Sequence, residues 1–433
     1  MHRKSTCILA VLLLSAVCVR PAAAADPQAQ AVKAEPGDTD KAAVVASNNR
    51  FAVDLFARLG GGQEGNLFFS PSSIHAALSM TYAGAAGKTA EQIKDVLDLP
   101  DSLDETANGY QDLLADLNDT PEVTFGAEED GKYVQKKMPA YRLHMANALW
   151  PQKGCRFKED YITLVSKHFD AAIEPLDYRK PEPARKRIND WVAKKTQDRI
   201  KNLIGPGVLN PGTRLVLTNA VYFKSSWASD FSKSATEDGT FHLGHGKTAT
   251  VPMMHQADTF KAFQNDQLQG LSLPYKGHEL DMVILLPRKK DGLAAMEKTL
   301  TAEKLTAWLG KLTGQRVRVT MPRWKLSSSF ALRAPLSAMG MADAFAPGKA
   351  DFSGMTEAEK LFISAVLHKA FIAVDEEGTE AAAATAVVME ATAMPPAATM
   401  EFTADHPFLY LIRHRPTGTI LFMGRLANPA GKD

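Results

Sequence analysis

Residues 374–402 read VDEEGTEAAAATAVVMEATAMPPAATMEF. Four alanines, Ala381 to Ala384, favour a helix, yet TAVVME after them favours a strand. Pro395 and Pro396 then suit neither a helix interior nor a central strand. Read as a strand, the segment sorts its side chains onto two faces. Thr379, Ala381, Ala383, Thr385, Val387 and Met389 carry no charge, whereas the alternate set begins at Glu380 and ends at Glu390. The first set can be buried and the second can face water. Gly378 supplies backbone freedom in front of them. The stretch suits a strand as well as a helix.

The rest of the chain has to supply the sheet. The protein has 433 residues, 45% hydrophobic and 23% charged, with a formal net charge of +1. That is ordinary globular composition with ample core material. The near-neutral charge argues against a nucleic-acid binder. Arg3 and Lys4, the apolar run CILAVLLLSAVCV and the small-residue stretch RPAAAAD form a secretory signal peptide over residues 1–25, cleaved after Ala25. No other stretch is apolar for the roughly 18 residues a membrane span requires, so no membrane partner is expected. Cys7 and Cys18 lie in the signal, which leaves Cys155 alone in the mature chain and no intrachain disulfide. The Ala-rich signal end and the missing disulfides point to a bacterial secreted protein, periplasmic or extracellular.

Residues 26–46 are rich in Ala, Asp and Pro and are expected to be a flexible leader. From Asn48 the pattern becomes dense. NNRFAVDLFARL, SPSSIHAALSMTYAGA and TAEQIKDVLDL each read as helices, the second with Ser70 at its cap and Pro71 in its first turn. Residues 119–141 are polar and charged and read as an exposed loop or small excursion. EPARKRINDWVAKKTQDRIKNLI is a basic helix whose mixed charges read as a solvated face. TRLVLTNAVYF, ELDMVILLP and RVRVTMPRW are strands, followed by KLFISAVLHKAFIAV, FLYLIRH and TILFMGRL. Helices followed by strands, without βα alternation, favour an α+β fold, and the length permits two or three domains or one large mixed fold.

A search for catalytic chemistry is negative. No G-x-S-x-G elbow occurs. HELDM at 278–282 has Met282 where a zincin needs its second histidine, and GAAGKT at 84–89 is too short for a phosphate loop. His242, His245 and His255 match no closed zinc spacing. No catalytic residue, metal or cofactor is assigned.

Dispersed blocks then resemble the serpin family in family order: NLFFSPSSIHAALSMTYAGAAGKTAEQI (66–93), LTNAVYFKSSW (217–227), VPMMHQ, LPYKGHELDMVILLP, VTMPRWKL, LSAMGMADAFAPGKADFSGM (336–355), VLHKAFIAVDEEGTEAAAAT (366–385) and FTADHPFLYLIRHRPTGTILFMGRLANP (402–429). The resemblance implies a single domain over residues 47–430, with three β-sheets, eight or nine helices and an exposed reactive loop over about 376–400. It implies a monomeric suicide-substrate inhibitor that forms a covalent acyl complex with a serine protease. Glu376, Glu377, Gly378, Thr379, Glu380, Ala381, Ala382, Ala383 and Ala384 match the hinge. The family register places the scissile bond at Thr392–Ala393, with Met394 the alternative, and the Pro395–Pro396 pair agrees with Thr392. A small residue there suits elastase-like or subtilisin-like proteases, not a trypsin-type pocket. Ser70, Ser73, Asn219 and His368 match the buried cluster under the opening sheet, and Trp227 the tryptophan where insertion starts. The alternatives are a non-inhibitory serpin (chaperone, carrier or storage protein) and an inhibitor of cysteine or chymotrypsin-like proteases. The 119–141 segment is longer than the family pattern, and the basic helix gives no ground for a polyanion activator.

Overall fold

The computed structural model describes residues 36–61, 64–129, 132–357, 360–379 and 399–431. The chain opens with α1 (Pro36–Gly60), β1 (Leu67–Phe69), α2 (Pro71–Tyr82), α3 (Gly87–Leu97) and α4 (Leu103–Asn118). Local chemistry sets these starts. The Ser70 hydroxyl accepts the Ser73 N–H and Pro71 occupies the first turn of α2, where a missing N–H costs nothing. Ser102 and Glu105 form a reciprocal capping box on α4.

The middle of the chain holds β2 (Glu122–Glu129), β3 (Lys132–Pro139), β4 (Tyr141–Pro151), α5 (Glu159–Phe169), β5 (Ala172–Ile173), α6 (Pro181–Lys195) and β6 (Leu215–Ser226). There follow β7 (Glu237–Gly244), β8 (Lys247–Gln264), β9 (Leu268–Pro274), β10 (Leu280–Pro287), α7 (Leu293–Lys298), α8 (Ala302–Leu309), β11 (Thr313–Pro322), β12 (Trp324–Ala331) and α9 (Arg333–Met339). The last strands are β13 (Ile363–Asp375), β14 (Gly378–Thr379), β15 (Met400–Thr403), β16 (Phe408–His414) and β17 (Ile420–Leu426).

Among the described residues these strands make three sheets. One has the path β1-β17-β16-β10-β9-β8-β11-β15, with β7 paired to β8. The second, called the main sheet below, has the order β12-β13-β14-β6-β4-β5, and β2–β3 form a separate hairpin. Alternation decides which core each side chain of the main sheet enters. Leu149, Leu215, Leu217, Val221 and Phe223 point into the large core shared with the first sheet. Ala146, Ala148, Trp150, Val216 and Ala220 form a second core with Ile188 and Val192 of α6. Burial on both faces explains why TRLVLTNAVYF, most of which lies in β6, reads as a largely apolar run.

Two expectations need correction. Residues 36–46, assigned to a flexible leader, are the first turns of α1, so the domain begins at Pro36 rather than at 47. Val44 and Val45 are buried, and Lys41 pairs with Asp116 at 3.0 Å. Residues 26–35 and the signal segment lie outside the described residues. The 119–141 segment is not a loop: β2 and β3 pair over their full length, from Glu122–Pro139 to Glu129–Lys132.

A chain begun at Pro36 should therefore unfold in urea at the same midpoint as one begun at Asp26. One begun at Asn48 loses the burial of Val44 and Val45 and should be less stable by about 3–6 kcal/mol. Equal midpoints for all three would refute the assignment of 36–47 to the core.

Candidate functional site

The main sheet is interrupted at its centre. β13 and β6 run parallel and pair from Ile363–Leu215 to Ala370–Val221, where their ladder ends. Above that point β14 lies between the same two strands, antiparallel to both. Thr379 faces Val374 on one side and Ser225 on the other, and Gly378 faces Asp375 and Ser226. The hinge expected from the sequence thus enters the sheet at Gly378 and Thr379.

The turn that delivers it is built from short-range chemistry. Asp375 Oδ1 accepts the N–H groups of Glu377 (3.0 Å) and Gly378 (3.2 Å). Burial raises the Asp375 carboxyl above its ordinary value, against the pull of those amides. Gly378 has φ +149°, and a Cβ there would lie 2.2 Å from the Ser225 carbonyl oxygen and 2.7 Å from Ser226 Cα. Only glycine can pass that point.

Trp227 locks the turn from above. Its indole N–H donates to the Asp375 carbonyl at 2.9 Å, and its backbone N–H donates to the Glu377 carbonyl at 2.9 Å. The ring stacks on Tyr275 with centroids 4.6 Å apart and planes 12° apart. Tyr275 in turn shares a 2.6 Å hydrogen bond with Thr379 Oγ1. Burial pushes the Tyr275 hydroxyl far above its usual range, so it stays neutral. The glutamates that open the hinge are held from the other side. Thr236 Oγ1 donates to Glu376 at 2.7 Å, Arg323 lies 3.5 Å from the same carboxylate, and Lys233 pairs with Glu377.

Beneath the end of the β13–β6 ladder lies a buried polar network. His368 and Asn219 face each other across it, and Asn147 of β4 faces Asn219 on the other side. His368 Nε2 accepts the Ser70 N–H at 3.1 Å. The ring proton therefore sits on Nδ1, which donates to Asn219 Oδ1. The Asn219 amide donates to Ser73 Oγ and to Asn147 Oδ1, and Ser73 Oγ donates to Asn147 Oδ1 at 3.0 Å. Ser70 Oγ donates to the Leu421 carbonyl at 2.7 Å. None of these five side chains has a fully buried polar atom without a partner, and the network ties α2, β4, β6, β13 and β17 together. Burial pulls the His368 imidazole down to about 3, so it is neutral at physiological pH.

Ser70, Ser73, Asn219, His368 and Trp227, all expected from the sequence, are thus placed around the break in the main sheet; Glu376 and Glu377 form the turn, and Gly378 and Thr379 enter the sheet. Glu380 to Ala384, Thr392, Ala393 and Met394 lie outside the described residues. Asn147, Tyr275, Thr236 and Arg323 were not anticipated. Asn147 left a trace in MANALWP, a lone amide in an apolar strand, which needs a buried partner. The three histidines weighed as metal ligands have separate neighbours. Lys290 donates to His242 at 2.6 Å, His255 meets Thr320 at 3.0 Å, and His245 lies 3.8 Å from Glu64. Among the described residues no three His, Cys, Asp or Glu side chains gather as a metal site would require.

A sheet split at its centre with a following segment wedged into the split narrows the possibilities to one fold family. The family model for serpins (serine protease inhibitors) matches residues 46–429. This chain belongs to the serpin family. It is 43% identical to an uncharacterised serpin-like protein of Thermococcus kodakarensis, over 89% of this chain and 86% of that protein. It is 40% identical to leukocyte elastase inhibitor of Equus caballus, over 88% of this chain and 98% of that protein. The solved structure of human thyroxine-binding globulin with its hormone superposes with a TM-score of 0.79 at 29% identity, covering 90% of this serpin and all of that chain. The α+β serpin fold read from the sequence is thus the observed one, with nine α-helices among the described residues.

The buried histidines of this serpin make its stability fall on acidification. His368 is held at about 3 and His75 at about 4, both by burial, against an ordinary 6.5. On unfolding each takes up a proton below pH 6.5, so the unfolded state binds more protons and stability declines from 6.5 towards the folded values. Each ring contributes a slope of up to about 1.4 kcal/mol per pH unit in that window. His368→Gln should flatten the slope between pH 4 and 6.5 by one ring's share. At pH 8 it should also cost about 1–3 kcal/mol for each network partner it strands. Urea titrations at several pH values test both, and an unchanged slope would show that His368 is not buried neutral.

Proposed function

We propose that this protein inhibits serine proteases as a suicide substrate, with Thr392–Ala393 as the bait bond. The observation that carries the reading is the seating of Gly378–Thr379 in register with both β13 and β6. Continuing that antiparallel register places Ala383 opposite Ala370 and Val221, the top rung of the existing ladder. Thr385 then falls opposite both His368 and Asn219, which already face each other. The incoming strand needs no slip on either side, and a sheet with one buried face penalises any slip strongly. Thr379 meets Tyr275, so Ala381, Ala383, Thr385, Val387 and Met389 follow on the inner face.

The reaction uses the protease's own machinery. Its serine oxygen bonds to the Thr392 carbonyl carbon, the Thr392–Ala393 C–N bond breaks, and the protease histidine delivers its proton to the Ala393 amine. The product is an ester between Thr392 and the protease. Release from Ala393 frees the loop to zip between β13 and β6 and carry the bonded protease along. Distorting the oxyanion hole costs the deacylation step about a hundred- to a thousandfold for each donor lost, so the ester persists. The small Thr392 side chain favours an elastase-like or subtilisin-like partner. The small, uncharged inner face of residues 379–389 favours inhibition over a carrier role such as that of thyroxine-binding globulin. The signal segment at 1–25 supports action outside the cytoplasm.

The mature protein incubated with pancreatic elastase or subtilisin should give a complex that survives denaturing gels, and a released peptide beginning at Ala393. Ala383→Glu places a charge on the inner face and should turn nearly all inhibitor into cleaved substrate. Glu380→Gln, on the outer face, should still trap protease. Cleavage without a stable complex for every protease would assign the protein to the non-inhibitory members.

A further inference from the structure

The β2–β3 hairpin has no part in the chemistry above. Its two strands pair only with each other among the described residues. A lone two-stranded hairpin is marginal in water, yet this one is specified by β-formers at Val123, Thr124, Phe125, Tyr133 and Val134. Glu122, Thr124, Gln135, Lys136 and Lys137 are exposed. Such a hairpin adds little to the core.

Its base, by contrast, is anchored, and at a particular place. The Ala140 N–H donates to the Pro121 carbonyl at 2.8 Å, closing the hairpin, and Ser225 Oγ donates to the Ala140 carbonyl at 2.9 Å. Tyr141, the next residue, faces Ser225, and Ser225 faces Thr379. The base therefore stands two strands, about 10 Å, from Thr379. It is also fitted to the turn behind the hinge. Gly277, at φ +81°, admits Ala140 and Pro121 where a Cβ would come within 2.6 Å and 3.2 Å of their side chains. The N–H of neighbouring Lys276 donates to the Ser226 carbonyl at 2.9 Å. Eight paired residues per strand give the hairpin a length of about 27 Å.

We infer that this hairpin is a second contact surface for the target serine protease, engaged while the protease holds the reactive loop. The inference rests on the inhibitory reading. The loop is fixed at Thr379 on one side and at Met400, paired with Val317 of β11, on the other, so the protease must approach this end of the molecule. A surface two strands from the loop's origin is within the footprint of a bound enzyme, and the interface would continue from the loop onto the hairpin. Its role is to raise the encounter rate and to choose among proteases that accept Thr392 equally well, as surfaces remote from the anchor do in other complexes.

The test uses the mature serpin with elastase and with subtilisin, each with its serine changed to alanine so that the encounter complex accumulates. Hydrogen exchange should slow at residues 122–139 as well as in the loop for at least one of the two. Protection of the loop alone in both cases overturns the hairpin's role and leaves the inhibitory reading intact, whereas no protection anywhere defeats that reading. Protection of the hairpin that rises with serpin concentration without protease would assign the surface to a second copy and also overturn the inference. With active enzyme, joining Glu122 to Pro139 through a short Asn-Gly turn should lower the association rate constant at least about tenfold for the preferred protease. The thermal midpoint and the fraction of protease trapped should stay the same. An unchanged rate in a folded variant refutes the proposal.

Discussion

The end of the ladder at Ala370–Val221 is the constraint on which the rest of this molecule depends. A central sheet normally closes all its backbone hydrogen bonds. Here two long, buried, parallel strands stop pairing part-way, and a turn built on Asp375 inserts Gly378 and Thr379 into the mouth. Trp227, Tyr275, Thr236, Arg323 and Lys233 all serve to hold that wedge at a fixed depth. Gly378 and Thr379 thus form the start of a strand between β13 and β6, which below them pair directly with each other.

The buried network from Ser70 to Asn147 works in the opposite sense. It links helix α2 to three neighbouring strands of the main sheet through directed hydrogen bonds. Polar groups in a dry core add little when satisfied and cost much when stranded. Separation of β13 from β6 must strand several of them at once, because His368 and Asn219 stand on opposite sides of the seam. Closure over a new strand is favourable only if that strand supplies replacements there. Thr385, with a hydroxyl that can donate and accept, is suited to the place the register assigns it.

Much of this was legible in the sequence, and the exceptions have physical causes. The apolar stripes of the helices and the long buried strands were plain, as was the capping of α2 by Ser70. The start of α1 was hidden because Ser47 and Asn48 interrupt its stripe. Their side chains reach the Asp98 and Ile420 carbonyls, so polar residues occupy buried positions on that helix face. The hairpin was hidden by the density of Glu and Lys over a β pattern, which composition reads as loop. Tyr275 could not be found from spacing, because it meets Trp227 and Thr379 only through the packing of two sheets.

On the proposed insertion, the matched registers also make the main sheet a ruler. Each residue that enters advances the chain by about 3.3 Å, and the travel from Thr379 down to the position facing Leu215 is filled by residues up to Met389, roughly 33 Å. Thr392 lies three residues further on, beyond the last rung of β6. Under that proposal a protease bonded there would come to rest just past the foot of the sheet. One residue removed between Thr379 and Thr392 would shorten the journey by a single rung and invert every side chain below the cut. Loop length would then be a measured dimension, set by β13 and β6.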